Sequence, residues 1–399
     1  MLFLVGSRGI AAILQALSFM ILSRVVDLRT FGVIGVLTGV AAFALLITDV
    51  GVTATLARAR ATNQDALVRG ALRLNDVITV ASAIVFGTVT GLFVQPWLAV
   101  AILVVALTVE RNAETHLSLF YAEGARLVPS ISILGRRATM LATFAGLSVV
   151  EVDGALAFAL GMLTGAVFSQ LIQRVTVRRS YRDSQAASFR QVFSGSWRFW
   201  VSSVLNQIRT VDSAVVGAFA SVASAGLYAA SQKLVNPLLL LPASLSQILL
   251  PAVARQGADV GKITKRVCLL FLSCYLPIIP LTFFAGDVLA FLFGKPYDGG
   301  ASILIWAMLG FPLMALSGPL AAILQGLGRE GFVAWNGLLF AVLAIAGMLV
   351  GVTVAGATGV AAGLTIAYAV RAPILVARIA RERREAARTE RAGDESLAI

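Results

Sequence analysis

The chain has 399 residues, 58% of them hydrophobic and only 13% charged, with a mean hydropathy of +0.89. A soluble domain is about 45–50% apolar and about 25% charged, so the composition excludes an ordinary soluble enzyme and implies a polytopic membrane protein. The formal net charge of +12 then belongs to cytoplasmic loops and anionic lipid, and with no recognition module in the sequence a nucleic-acid partner is excluded.

A membrane span needs about 20 mostly apolar residues, and on that ruler about twelve follow one another along the chain. The first, 2–23, has neither a cationic n-region nor a clean A-x-A site, so it is expected to be a retained span and not a cleaved signal. It carries Arg8 and Gln15 on one face. The second, 31–56, holds Asp49 near its end, and the third is 72–94. The fourth, 97–120, turns polar at the run VERNAETH, which supplies Glu110, Arg111, Glu114 and His116. Glu110 and Glu114 are one turn apart, and Arg111 is within reach of Glu114. Either this helix ends early and its charges lie in water, or they lie at depth. The fifth and sixth spans are 128–150 and 154–173. The basic segment 174–193, with Arg174, Arg178, Arg179, Arg182 and Arg190, follows.

The seventh span, 194–218, contains NQIRTVDSAVVG, in which Arg209 and Asp212 stand at i and i+3 with Asn206 and Ser213 on the same face. The eighth, 225–252, carries Gln232, Lys233 and Asn236. Spans at 265–292, 300–325, 332–353 and 357–378 complete the series, and a basic tail occupies 379–399. Cys268 and Cys274 fall in one apolar run on opposite helix faces. With a single histidine, His116, they leave no disulfide and no zinc-ligand spacing.

Basic residues crowd alternate loops: Arg58, Arg60, Arg69 and Arg73; Arg126, with Arg136 and Arg137 just inside the next span; the 174–193 segment; Arg255, Lys262, Lys265 and Arg266; Arg329; and the tail. The other loops hold Arg24, Arg29 and Lys295. The positive-inside rule therefore places both termini in the cytoplasm. The chain divides into an N-terminal six-helix lobe, 1–173, a linker, 174–193, and a C-terminal six-helix lobe, 194–378. The stretches from Arg29 and from Ala223 match in layout, each with an x-Gly-hydrophobic start and an Ala-Arg close (Ala57 and Arg58; Ala254 and Arg255). Two parallel repeats are a transporter arrangement, with substrate held between the lobes.

An ionised group at the bilayer centre costs roughly 2.5–3.5 kcal/mol on insertion scales, and such groups usually face a bundle interior or a watery cavity. The Arg209–Asp212 stripe is either a buried salt bridge that locks the helix or the wall of such a cavity. The deep charges are Arg8, Arg111, Arg209 and Lys233 against Glu110, Glu114 and Asp212, with Asp49 nearer the cytoplasmic end; Arg8 either joins the cavity or snorkels to the inner headgroups. Several fixed cations suit a phosphate, which arginine grips in bidentate fashion. The carboxylates are candidates for H⁺ or Na⁺ coupling. Neither a P-loop nor a Ser/His/Asp arrangement is visible, so no enzymatic reaction and no ATP hydrolysis is expected.

The run FGVIGVLTGVAAFALLITDVGVTATLAR, with Phe31–Gly32, Asp49–Val50–Gly51 and Ala57–Arg58, resembles the second helix of bacterial polysaccharide (Wzx-like) flippases. The run from Arg209 to Arg255 is similar to that family's later signature, through Asp212, Gly217, Gly226–Leu227–Tyr228, Ala230, Pro251 and Arg255. LFGKPYDGGASILIWAM and GATGVAAGLTIAYAV resemble its tenth-helix start and twelfth helix. The resemblance implies the multidrug/oligosaccharidyl-lipid/polysaccharide (MOP) exporter superfamily: an all-α fold of two six-helix lobes in a V, working by alternating access in the inner membrane. It implies a lipid-linked oligosaccharide as substrate, flipped from cytoplasmic to periplasmic leaflet. Its pyrophosphate would lie near Arg209 and Lys233, with Arg8 and Arg111 from the other lobe and Asn206, Gln232 and Asn236 lining the cavity. Polysaccharide polymerase and export machinery are the expected partners. Two other readings stand: a cation-coupled multidrug antiporter of the same superfamily, and a membrane glycosyltransferase or polymerase, which would need a larger outer loop than this chain has.

Overall fold

A computed structural model describes residues 2–180, 185–194, 200, 204, 207–254 and 259–397. The described residues are helical throughout their ordered elements, with no strand among them. The chain is a polytopic all-α membrane protein. Seven of the described helical segments are long and apolar enough to cross a bilayer, and the remaining expected spans are kinked, more polar or only partly described.

The first half begins with α1, Leu2–Val25, and α2, Leu28–Thr48. Asp27 caps α2, its carboxylate accepting from the backbone amides of Arg29 and Thr30 at 3.2 and 3.4 Å. Hydrogen bonding, chiefly from the Thr30 side chain, holds that carboxyl below its usual range. The expected second span is not one helix. Val50 and Gly51 adopt left-handed φ of 51° and 77°, which a β-branched residue tolerates poorly. The chain restarts as α3, Val52–Ala61.

α4, Asp65–Phe93, α5, Trp97–Ala122, α6, Leu127–Val149, and α7, Gly154–Ser180, follow. α5 and α6 both pack on α7, α4 on α5, and α1 on α6. α5 runs unbroken past Glu110 to Ala122, which removes the reading in which the fourth span ends early.

The second half is more broken. The described part of the seventh span is a 3₁₀ turn, Ile208–Val211, followed by α8, Asp212–Phe219. The expected continuous stripe is therefore interrupted at Arg209. Asn206 lies outside the described residues. The eighth span is α9, Val222–Val235, a 3₁₀ turn Asn236–Leu239 where Pro237 removes a backbone donor, and α10, Leu240–Ala254. α11, Val260–Leu272, α12, Tyr275–Thr282, and α13, Ala285–Phe293, make up the ninth. Cys268 and Cys274 are free thiols.

α14, Ala301–Gly326, is the scaffold of this half, packing against α10, α11 and α15. α15, Glu330–Leu397, is two antiparallel arms, because Ala355 and Gly356 leave helical geometry. The second arm continues without a break through the expected boundary at 378, so the basic tail extends that helix. Arg329 and Arg378 both pair with Glu382 there, at 2.8 and 2.5 Å.

The halves meet along α2, which packs against α8 and α9. A Cβ at Gly35 would sit 2.6 Å from that of Ala229, and one at Gly32 would collide with the carbonyl of Val222. Only glycine permits this approach. At the same end Phe31 lies between Phe293 and Tyr297, with ring centroids 6.2 and 5.3 Å away. Ser23 and Arg24, at the end of α1, donate to the carbonyls of Phe293 and Phe291 at 3.0 and 2.7 Å. These contacts tie the halves together at this end, beside an open cavity of about 880 Å³ lined by Val26, Arg29, Val33 and Val222.

Candidate cavity between the two halves

Tyr228 on α9 is fully buried, and a buried hydroxyl needs a partner. It donates to Asp212 Oδ2 at 2.9 Å and accepts from Gln232 Nε2 at 3.0 Å. The other Asp212 oxygen accepts from the Ser213 amide at 2.6 Å. This chain replaces the expected contact between Arg209 and Asp212: among the described residues no ion pair joins them. Because Tyr228 and the Ser213 amide satisfy the carboxylate, the Arg209 guanidinium is left for the space beside it.

That space is real. A cavity of about 200 Å³ lies between α2, through Thr38 and Gly39, and Arg209, Asp212, Gln232 and Lys233. A second, of about 220 Å³, lies between α1, through Gln15 and Phe19, and Lys233, Asn236 and Pro237. The two share Lys233 and Asn236 as wall. Lys233 Nζ stands 3.9 Å above the Phe19 ring, a cation–π contact that reaches from one half to the other. Behind Arg209 and Asp212 a recess of about 30 Å³, room for roughly one water, is lined by Thr365 and Tyr368 of the second arm of α15. Arg209, Lys233, Asp212, Gln232 and Asn236 are thus brought together, as expected from the sequence.

The first-half charges are arranged differently. Arg8 stacks over Tyr121 at 5.0 Å, and neither it nor Arg111 lines the two cavities. Arg111 does not reach Glu114. It approaches Asp49 at 3.5 Å, where Thr53 also donates at 2.8 Å. Asp49 occupies the break between α2 and α3, which turns it toward α5.

Glu110 and Glu114 point instead to α6. Glu110 takes a forked contact from Arg137, at 2.6 and 3.4 Å, and lies 3.5 Å from Arg136. Glu114 pairs with Arg136. Arg136 and Arg137 are 4% and 7% exposed, so they are interior groups and not residues of the inner edge. Carboxylates held at depth by an unbroken α5 require such partners. By sequence both count with the basic cytoplasmic loop, just inside the 128–150 span; the carboxylates they meet are on another helix, so nothing local marks them as interior. Lys233 is close enough to Glu110 and Arg137 to interact with both electrostatically.

Arg371 is a further unforeseen interior cation, 8% exposed. It donates to Asn336 Oδ1 at 3.2 Å and stacks over Phe340 at 4.6 Å. Its place within the 357–378 span was visible in the sequence.

A family described as polysaccharide biosynthesis protein matches residues 21–301, well over half of the sequence. The chain belongs to this family. No curated protein matches it at the level of sequence. Among solved structures it is similar to an inward-facing multidrug resistance MATE family transporter of the MOP superfamily, with a TM-score of 0.74 at 14% identity over 94% of this chain and 96% of that one. It is equally similar to the lipid II flippase MurJ in an inward closed conformation, with a TM-score of 0.74 at 13% identity over 95% of this chain and 87% of that one. A MOP superfamily transporter from Pyrococcus furiosus Vc1, described by a reverse polarity of its binding pocket, matches with a TM-score of 0.59 at 15% identity over 96% and 97%. Identities this low establish a shared fold alone. That fold is the one the sequence resemblance implied for this polysaccharide-family chain.

Proposed function

We propose that the protein is a flippase for a lipid-linked oligosaccharide, carrying an undecaprenyl-pyrophosphate-linked glycan from the cytoplasmic to the periplasmic leaflet of the inner membrane by alternating access. One observation carries the reading: Arg209 has no ion-pair partner among the described residues and, with Lys233, faces a cavity between the two halves. A cation at membrane depth is tolerated where it meets water or an anion. Arginine and lysine across one space suit a pyrophosphate. Membership of a polysaccharide biosynthesis family supports a glycan substrate, and likeness to a lipid II flippase supports a lipid-linked one.

In this reading the lobes 1–173 and 194–378 rock about the α2 contact, both termini are cytoplasmic, and Asp212 is the carboxylate placed to couple H⁺ or Na⁺ to movement. Arg8 and Arg111 stand outside the grip in the conformation described. Polymerase and export machinery would receive the product.

Loss of surface polysaccharide in a deletion strain, restored by the natural gene and not by Arg209→Ala produced at equal level, is the expected result. Full restoration by Arg209→Ala removes that residue from the mechanism. The equal fold likeness to a multidrug transporter favours a second reading, cation-coupled drug antiport. The cations on the wall disfavour cationic drugs, and a deletion strain with altered drug sensitivity and intact polysaccharide would select that alternative.

A further inference from the structure

The two cavities joined at Lys233 differ in chemistry. The one beside α2 is walled by Arg209, Asp212 and Lys233. The one beside α1 has no carboxylate, and apart from Lys233 its polar wall is two carboxamides, Gln15 and Asn236, set among Ala12, Ala16 and Leu240. Lys233 gives its charge to the Phe19 face at 3.9 Å on this side.

The carboxamides are unspent. Gln232 uses its amide on Tyr228 at 3.0 Å, whereas neither Gln15 nor Asn236 hydrogen-bonds another protein group among the described residues. A carboxamide offers two donors and an acceptor with no charge. It therefore matches hydroxyl and acetamido groups, which engage both its donors and its acceptor, whereas a phosphate engages its donors alone and an alkyl chain neither. A sugar carried on a pyrophosphate is one linkage from it, so a subsite for that sugar has to adjoin the phosphate site. Lys233 and Asn236 are the shared wall that adjacency requires.

Resting on the flippase reading, we infer that the α1-side cavity is a sugar subsite. There Gln15 and Asn236 bind the hydroxyl or acetamido groups of the residue next to the pyrophosphate, while Arg209 holds the phosphates in the neighbouring cavity and Lys233 stands on the wall between the two. Gln15 and Asn236 are specificity residues, and Arg209 is not. A site that hydrogen-bonds polar groups discriminates against ligands lacking them, because its own groups would be left unpaired.

The test is binding by full-length protein in lipid nanodiscs to two probes: bare undecaprenyl pyrophosphate, and the same lipid bearing one N-acetylhexosamine. The natural protein is expected to bind the sugar-bearing probe more tightly. The variant Gln15→Met, near-isosteric, confined to the α1-side cavity and checked for an unchanged melting temperature, is expected to lose about tenfold on the sugar-bearing probe, the size of one or two neutral hydrogen bonds. Its binding to the bare lipid should not change. Equal loss on both probes, or no preference for the sugar-bearing probe in the natural protein, overturns the sugar subsite. Arg209→Ala is expected to weaken both probes alike. If it weakens neither while Gln15→Met still loses the sugar preference, the phosphate reading fails and the subsite stands.

Discussion

Glu110 shows how one residue's fate depends on what faces it. Its carboxylate lies between Arg137 at 2.6 Å and Arg136 at 3.5 Å, and both arginines are buried. Removing one partner of a buried ion pair typically costs about 3–5 kcal/mol, because the remaining charge is left uncompensated. Glu110→Gln is therefore expected to lower folded yield and melting temperature in detergent. Adding Arg137→Met to it should recover part of the loss. A double variant no more stable than Glu110→Gln would show that the arginine is not the group being compensated. Arg209 differs in degree: it makes no ion pair within 4 Å among the described residues, although Asp212 feels its charge, so Arg209→Ala should lower the melting temperature less than Glu110→Gln does while abolishing complementation. Position in an apolar run marks Arg209 in the sequence, leaves Glu110 open between depth and water, and does not mark Arg136 and Arg137, which count with a cytoplasmic loop. The pairing Glu110–Arg137, in place of Arg111–Glu114, was not legible there, since a partner on α6 lies a loop away and local spacing cannot see it.

Among the elements, α2 decides most about movement. Its Gly32 and Gly35 bring the helix backbone against α9, with Phe31, Phe293 and Tyr297 closing the same end. An overpacked contact of this sort typically costs about 1–3 kcal/mol, and rocking the halves apart at this end relieves it. Gly35→Leu is expected to open this end to water. The readout is a cysteine placed at Ser23, which is 6% exposed, in a background with Cys268 and Cys274 replaced. A membrane-impermeant maleimide should leave it unmodified alone and label it once Gly35→Leu is added. Unchanged labelling would mean that α2 is a fixed strut. The second and seventh spans were expected as single helices, and both are interrupted beside a carboxylate, Asp49 and Asp212. Hydropathy registers only the apolar average, which Val50, Gly51 and the 208–211 turn barely alter. Left-handed φ and 3₁₀ geometry arise from the packing around them.

At the scale of the whole molecule, the alternation of basic loops predicts that both ends of the chain share the cytoplasmic face. A fluorescent protein fused after Ile399 is expected to fold and fluoresce, and alkaline phosphatase at the same position to be inactive; the reverse pair would invert the topology. Composition and span length decided the all-α membrane class, because the bilayer imposes those constraints on each segment separately. The placement of Arg209 and Lys233 in the second half, along with the polar groups near them, was also written in the sequence, since a charge inside an apolar run is conspicuous wherever the run ends up. Only the tertiary structure decided which of those charges remain free. Tyr228 takes Asp212 from Arg209, α6 takes Glu110 and Glu114, and Asp49 takes Arg111. Electrostatic partnership falls off within a few ångströms, and those distances exist only once helices far apart in the chain have packed.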